Sequence, residues 1–286
     1  MASSTQLPTM TAHEADQIAR ANASGLQPVV FVHGLWLLPN SWERWAAYFE
    51  EQGYVALAPG WPDDPQTVAE GKARPEVFAN KSIGDIADYQ ERIIVALDKT
   101  PALIGHSFGG LLVQILAGHG VSAATVSISP APMRGTPPLG FSAVKSAWPV
   151  LKNPANWHRA VPLTFDEFRY GFANVVSQQE AQGLFEQYAV PGSGMTVFQS
   201  ANANLNPWTE AQVDFENLRR GPMLIIAAEE DHTVPPAVAQ AAYKHQQLNI
   251  NITEFVEMHA RGHALTVDHG WKDVADNALT FIRRFV

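Results

Sequence analysis

Hydrophobic residues follow two alternating rhythms up to about residue 132 and again from Gly221. Short unbroken runs of β-formers, bounded by Pro or Gly, alternate with longer stretches whose apolar residues recur every three or four positions. The first rhythm predicts strands buried on both faces, the second helices with one apolar side. Strands are expected at Val29–Val32, Tyr54–Ala58, Ala102–Ile104, Ala123–Ser129, Met223–Ala228 and Asn251–Val256. Helices are expected at Thr11–Ala23, Ile83–Lys99, Pro236–Gln246 and Trp271–Phe285, and over Trp42, Trp45, Ala46 and Phe49 after an Asn40-Ser41 cap. Thr11 and Glu14 have the spacing of a capping box. Asp63–Ser82 is polar and irregular and reads as a surface excursion. Strand and helix in alternation at short spacing predict an α/β fold: a mostly parallel central sheet with helices on both faces.

The rhythm breaks between Met133 and Trp208. This stretch carries many prolines and large aromatics, including Phe141, Trp148, Trp157, Phe168, Phe172, Phe185 and Tyr188. So long a connection is not a plain loop. It predicts a helical cap inserted over the C-terminal edge of the sheet, with short helices at Thr164–Phe172 and Ser177–Tyr188. Residues 1–132 and 209–286 then form the core and 133–208 the cap.

Composition narrows the class. The chain has 286 residues, 46% hydrophobic, which is enough for one large core with an insertion. A net charge of −9 argues against nucleic acid or an anionic membrane as partner. The absence of cysteine excludes disulfides, thiolate metal sites and a cysteine nucleophile, and fits a reducing cytoplasm. Met1–Met10 lacks the basic and apolar regions of a secretory leader. No uncharged apolar run approaches the ~20 residues of a membrane span. The expectation is a soluble, cytoplasmic protein.

Candidate chemistry centres on Gly105-His106-Ser107-Phe108-Gly109. This is G-x-S-x-G between an apolar strand and an apolar helix, the setting in which a sharp turn lifts a serine hydroxyl clear of a sheet. A serine hydroxyl is a weak nucleophile, so it needs a base, and the base an orienting carboxylate. Both should lie at the C-terminal ends of later strands, the acid first and the histidine last. The loop after Ser129, S-P-A-P-M-R-G-T-P-P, has no acidic residue. The loop after Ala228 offers Glu229, Glu230 and Asp231. Asp231, which opens D-H-T-V-P, is the chosen acid, although a glutamate could do the same work. Of His259, His263 and His269, His263 is the chosen base, because it follows Gly262 in the loop leaving the last strand. The oxyanion hole requires two backbone N–H donors. Phe108 supplies one as the residue after the nucleophile, and Leu35 in His33-Gly34-Leu35 the other. His33 is read as a brace for that loop, and Trp36 and His106 as pocket walls. No metal or organic cofactor is implied: there is no Cys and no H-E-x-x-H.

V-F-V-H-G, G-H-S-F-G-G, L-I-I-A-A-E-E-D-H-T-V-P and R-G-H-A-L, in this order, resemble the α/β-hydrolase superfamily with a helical cap. The resemblance runs from Val29 to Val286. It implies an eight-stranded sheet, yet no two strands are evident before Val29. Serine at the elbow argues against haloalkane dehalogenases and epoxide hydrolases, which use aspartate. It is similar to capped esterases and lipase-like carboxylesterases, implying cleavage of a small hydrophobic ester through an acyl-serine. The same residues serve cofactor-free perhydrolases, lactonases and carbon–carbon bond hydrolases. A non-catalytic ligand-binding scaffold is the reading from another class. Fold and triad alone do not choose among these.

Overall fold

The computed structural model describes residues 9–137 and 140–286. Most of the stretch read as lacking a leader, and two residues of the expected cap, lie outside them. The first half runs α1 (Ala12–Ser24), β1 (Gln27–Val32), α2 (Glu43–Glu51), β2 (Tyr54–Leu57), α3 (Val68–Ala73), α4 (Ile83–Val95), β3 (Ala102–His106), α5 (Phe108–His119) and β4 (Ala124–Ile128). Next come α6 (Phe141–Leu151), β5 (Ala160–Val161), α7 (Phe165–Gly171), α8 (Gln178–Tyr188), β6 (Gly192–Ser193) and α9 (Gly194–Ala201). Last are β7 (Met223–Ala228), α10 (Pro236–Gln246), β8 (Thr253–Met258) and α11 (Trp271–Ile282).

Six strands form one parallel sheet in the order β2-β1-β3-β4-β7-β8. Alternate side chains of a strand leave opposite faces. Val30 and Val32 of β1 therefore join Leu103, Leu111, Leu112, Ile86 and Tyr89 on one side. Val29 and Phe31 join Ile104, Val126, Trp45, Phe49, Val274 and Phe281 on the other. Both faces are covered, which is why these strands read as unbroken apolar runs. The connection β3–α5, which carries Ser107, lies mid-sheet, and α5 is buried from Phe108 to Gly118.

Several elements depart from the sequence reading. The sheet has six strands among the described residues, not eight. Ahead of β1 stands α1, closed by the Thr11–Glu14 capping box and packed against β2. Asn40-Ser41 does not cap a helix. Pro39–Trp42 is a 3-10 turn that runs into α2, and the Ser41 hydroxyl donates to Leu38 O at 2.8 Å. The polar stretch 63–82 contains α3 and a second 3-10 turn at Pro75–Phe78. Ile83–Lys99 ends as a helix at Val95. β8 begins two residues later than expected, at Thr253.

Among the described residues between β4 and β7 lie four α-helices, two 3-10 turns at Pro154–His158 and Leu218–Arg220, and the small antiparallel pair β5–β6. The expected α7 and α8 are present, capped by Thr164 and Ser177. Helices α6 and α9 were not expected. Phe168, Phe172, Leu184 and Tyr188 pack with Leu37, Ala264 and Val267, so this segment sits on the loops that follow β1 and β8. Among the described residues no helix is long and apolar enough to cross a membrane.

Candidate active site

The turn from β3 into α5 is the tightest point of the chain. A Cβ on Gly105 would stand 2.1 Å from Gly109 O, and one on Gly109 would stand 2.0 Å from Val32 O. Both positions therefore admit only glycine. Between them Ser107 holds φ 58° and ψ −119°, a conformation that costs a non-glycine residue on the order of 1–3 kcal/mol. The surrounding backbone over-determines it: Ser107 N donates to Ile128 O at 2.9 Å, and Ser107 O accepts from Ala131 N at 2.9 Å and Leu111 N at 3.1 Å. Strain at this point turns the hydroxyl away from the sheet and towards the loops after β7 and β8.

Those loops bring Asp231 and His263 to it. His263 Nε2 lies 2.9 Å from Ser107 Oγ, and His263 Nδ1 lies 2.7 Å from Asp231 Oδ2. The other carboxylate oxygen, Asp231 Oδ1, accepts from Thr233 N at 2.8 Å and Val234 N at 2.7 Å. An ionised carboxylate only accepts, so the imidazole proton sits on Nδ1 and Nε2 is free to accept from the serine. All three residues are buried, which shields the pairings from water. Glu229 and Glu230 stay outside this chain. Glu229 accepts from Ala260 N at 2.9 Å, a hydrogen bond that holds its carboxyl below the ordinary value, and Glu230 is exposed. His259 lies 3.5 Å from Glu229, and His269 pairs with Glu180 at 3.0 Å; both are exposed.

The loop after β1 lies directly against the serine. A Cβ on Gly34 would stand 2.9 Å from Ser107 Cβ and 3.6 Å from Ser107 Oγ. Gly34, which precedes Leu35, and the N-terminus of α5, which begins at Phe108, thus both adjoin Ser107. Trp36 takes φ 63°, and its indole donates to Val161 O at 2.9 Å. A cavity of about 50 Å³ opens beside Ser107. Trp36 and Phe108 line it, with Ala131, Ala143, Ala147 and Val197 among the other walls.

His106 is not one of those walls, contrary to the sequence reading. Its ring lies 4.7 Å from the His263 ring and 6.0 Å from the Phe172 ring, and is buried. Burial, and then the neighbouring His263, push it well below the ordinary histidine range, so it is a neutral packing group. His33 is held to residues 61–64. Nε2 donates to Asp64 Oδ2 at 3.1 Å, and the ring stacks on Trp61 at 5.1 Å.

A roomier hollow of about 440 Å³ lies between α1, α2 and residues 60–66, lined by His13, Arg20, Glu43 and Trp61 among others. None of Ser107, His263 and Asp231 borders it. Three ligand-type side chains converge elsewhere, Glu229, Glu257 and His259, with donor atoms within 4.8 Å of one another. Glu229 and His259 there are exposed and already paired with each other.

The family model described as the alpha/beta hydrolase family matches residues 29–277. The chain belongs to that family. As an α/β hydrolase it has clear likenesses among solved structures. A monoacylglycerol lipase from Paleococcus ferrophilus is 18% identical, with a TM-score of 0.63 over 91% of this chain and 95% of that one. A pyrethroid hydrolase from Sphingobium faniae is 17% identical, with a TM-score of 0.63 over 90% and 97%. A methylesterase from Arabidopsis is 11% identical, with a TM-score of 0.62 over 91% and 100%. At these identities the likeness is one of fold. No curated protein matches significantly.

Proposed function

We propose that this α/β hydrolase is a serine esterase acting on small, neutral carboxylic esters. The observation that carries the reading is the unbroken hydrogen-bonded chain from Ser107 Oγ through His263 to Asp231. Ser107 Oγ attacks the ester carbonyl carbon and passes its proton to His263 Nε2. The carbonyl electron pair moves onto oxygen, where the Leu35 and Phe108 N–H groups receive the charge. Collapse of this intermediate expels the alkoxide, which leaves as alcohol with the proton from His263. Water, deprotonated by His263, then attacks the acyl-Ser107 ester and regenerates the hydroxyl. Asp231 keeps the His263 Nδ1 proton in place and stabilises the imidazolium.

The segment 133–208 acts as a cap in this reading, with α6 and α9 roofing the acyl chamber. Ala143 and Ala147 come from α6, Val197 and Ala201 from α9. The chamber's hydroxyls other than Ser107 are turned onto backbone carbonyls: Ser200 donates to Pro132 O at 2.7 Å, Thr233 to Gly171 O at 2.8 Å and Ser146 to His232 O at 3.3 Å. Among the described residues no charged side chain lines it. His263 does not line it either, and the leaving oxygen must face His263, so the chamber takes the acyl arm. At about 50 Å³ it is far smaller than the ~300–1,000 Å³ of pockets for drug-sized ligands. On p-nitrophenyl esters, kcat/KM is expected to be highest for acetate to butanoate and to fall at least ~10-fold by octanoate, each surplus methylene costing on the order of 1 kcal/mol of misfit. A kcat/KM that climbs through octanoate to palmitate contradicts the small-acyl reading.

A further inference from the structure

We infer that Asp64, with Lys81 and His33, positions the loop 33–36 against Ser107 and ties it to helix α9. The inference rests on the serine-esterase reading and adds residues that touch no reacting atom. Three segments distant in sequence meet on one carboxylate. Asp64 Oδ2 accepts from His33 Nε2 at 3.1 Å and from Trp61 N at 2.9 Å, and Oδ1 accepts from Lys81 Nζ at 2.5 Å. The three side chains are between 2% and 6% exposed.

Such a cluster is unusual in a core. An ion pair out of water stabilises a fold no better than apolar packing of the same volume, and it fails badly when one member is lost. What it supplies is direction, since each donor must point at a fixed oxygen. Here the direction reaches the site. His33 is one residue from Gly34, the residue in contact with Ser107, and two from Leu35. The His33 ring is clamped between Asp64 and Trp61, and its Nδ1 lies 2.9 Å from Gly34 O. Movement of Asp64 therefore moves the peptide that carries the Leu35 N–H.

The other end of the cluster leads to α9. Lys81 presents its ammonium to Asp64 and its carbonyl to two hydroxyls, Ser193 Oγ at 3.0 Å and Thr196 Oγ1 at 2.7 Å. Thr196 precedes Val197, which walls the chamber beside Ser107. Oxyanion loop and chamber wall thus share one buried anchor.

The test is Asp64→Asn, read by kcat, KM and the Ki of a short alkyl trifluoromethyl ketone, whose adduct with serine carries an oxyanion. Losing one oxyanion donor costs about 10²–10³ in kcat, and displacing one costs less. The expected result is a kcat lower by ~10–100-fold, KM within ~3-fold of wild type, and Ki raised by the same factor as kcat falls. Thr196→Val keeps the ionic trio and removes one anchor of Lys81. It is expected to show the same paired change at ~3–10-fold, and it decides the matter if Asp64→Asn does not fold. A purely structural role would lower thermal stability and leave kcat and Ki of the folded enzyme at wild-type values; that result in Thr196→Val, or in folded Asp64→Asn, overturns the inference. Wild-type enzyme that hydrolyses esters yet never binds the ketone at Ser107 overturns the serine reading itself, and this inference with it.

Discussion

Ser107→Ala is expected to lower kcat on a short p-nitrophenyl ester by about 10⁴–10⁶-fold with little change in thermal stability. Among the described residues the hydroxyl hydrogen-bonds to His263, and its removal leaves the elbow's backbone contacts intact. What is lost is the nucleophile. His263→Ala should cost a comparable factor, because no other base faces the hydroxyl among the described residues. The pair should not multiply: Ser107→Ala/His263→Ala is expected to be no slower than the slower single variant, since the residues act as one unit. Asp231→Asn should cost about 10⁴-fold by favouring the wrong imidazole tautomer while leaving the geometry in place. Steady-state kinetics at matched concentrations measure all four. Turnover within ~10-fold of wild type in Ser107→Ala or His263→Ala is incompatible with the proposed roles.

Gly109→Ala is expected to abolish folding or to destabilise by more than about 4–5 kcal/mol, the range reached only by severe steric or buried-polar defects. The added methyl would stand 2.0 Å from Val32 O, at the end of central strand β1, and 2.7 Å from His33 O in the loop that follows, both backbone atoms rather than flexible side-chain ends. Gly183→Ala in α8 is the control. Nothing stands within 4 Å of a Cβ there, and alanine in an exposed helix interior should stabilise by roughly 0.5–1 kcal/mol. Urea unfolding monitored by tryptophan fluorescence separates the two. A well-folded Gly109→Ala variant would mean that the elbow is far looser than its 2.0 Å approach allows.

The Gly105–Gly109 turn, Asp231 and His263, which the structure brings within hydrogen-bonding reach, leave a sequence signal because each lies in local sequence at a strand end. The G-x-S-x-G spacing is itself a steric requirement, and order along a parallel sheet fixes where the acid and base must fall. Strands buried on both faces announce themselves as apolar runs, as at Val29–Val32 and Met223–Ala228. The cap region was harder. Phe168 and Phe172 are buried, while Phe141 and Trp148 are exposed, so aromatic content alone could not separate core from surface. Pro149 sits inside α6 and disguises it as a break. His106 stands next to Ser107 in sequence, which suggests a pocket wall, yet its ring is buried against His263 and Phe172. Asp64 and Lys81 left no sequence signal. They are 31 and 48 positions from His33, and only the sheet order brings their loops together.

Covalent capture is the sharpest test of Ser107 as an activated nucleophile. A fluorophosphonate should phosphonylate the wild-type protein once, with loss of fluoride. Intact-mass analysis should show a single adduct and peptide mapping should place it on Ser107, while Ser107→Ala remains unlabelled. A hydrolytically active protein that is labelled at another residue, or not at all, would contradict the claim.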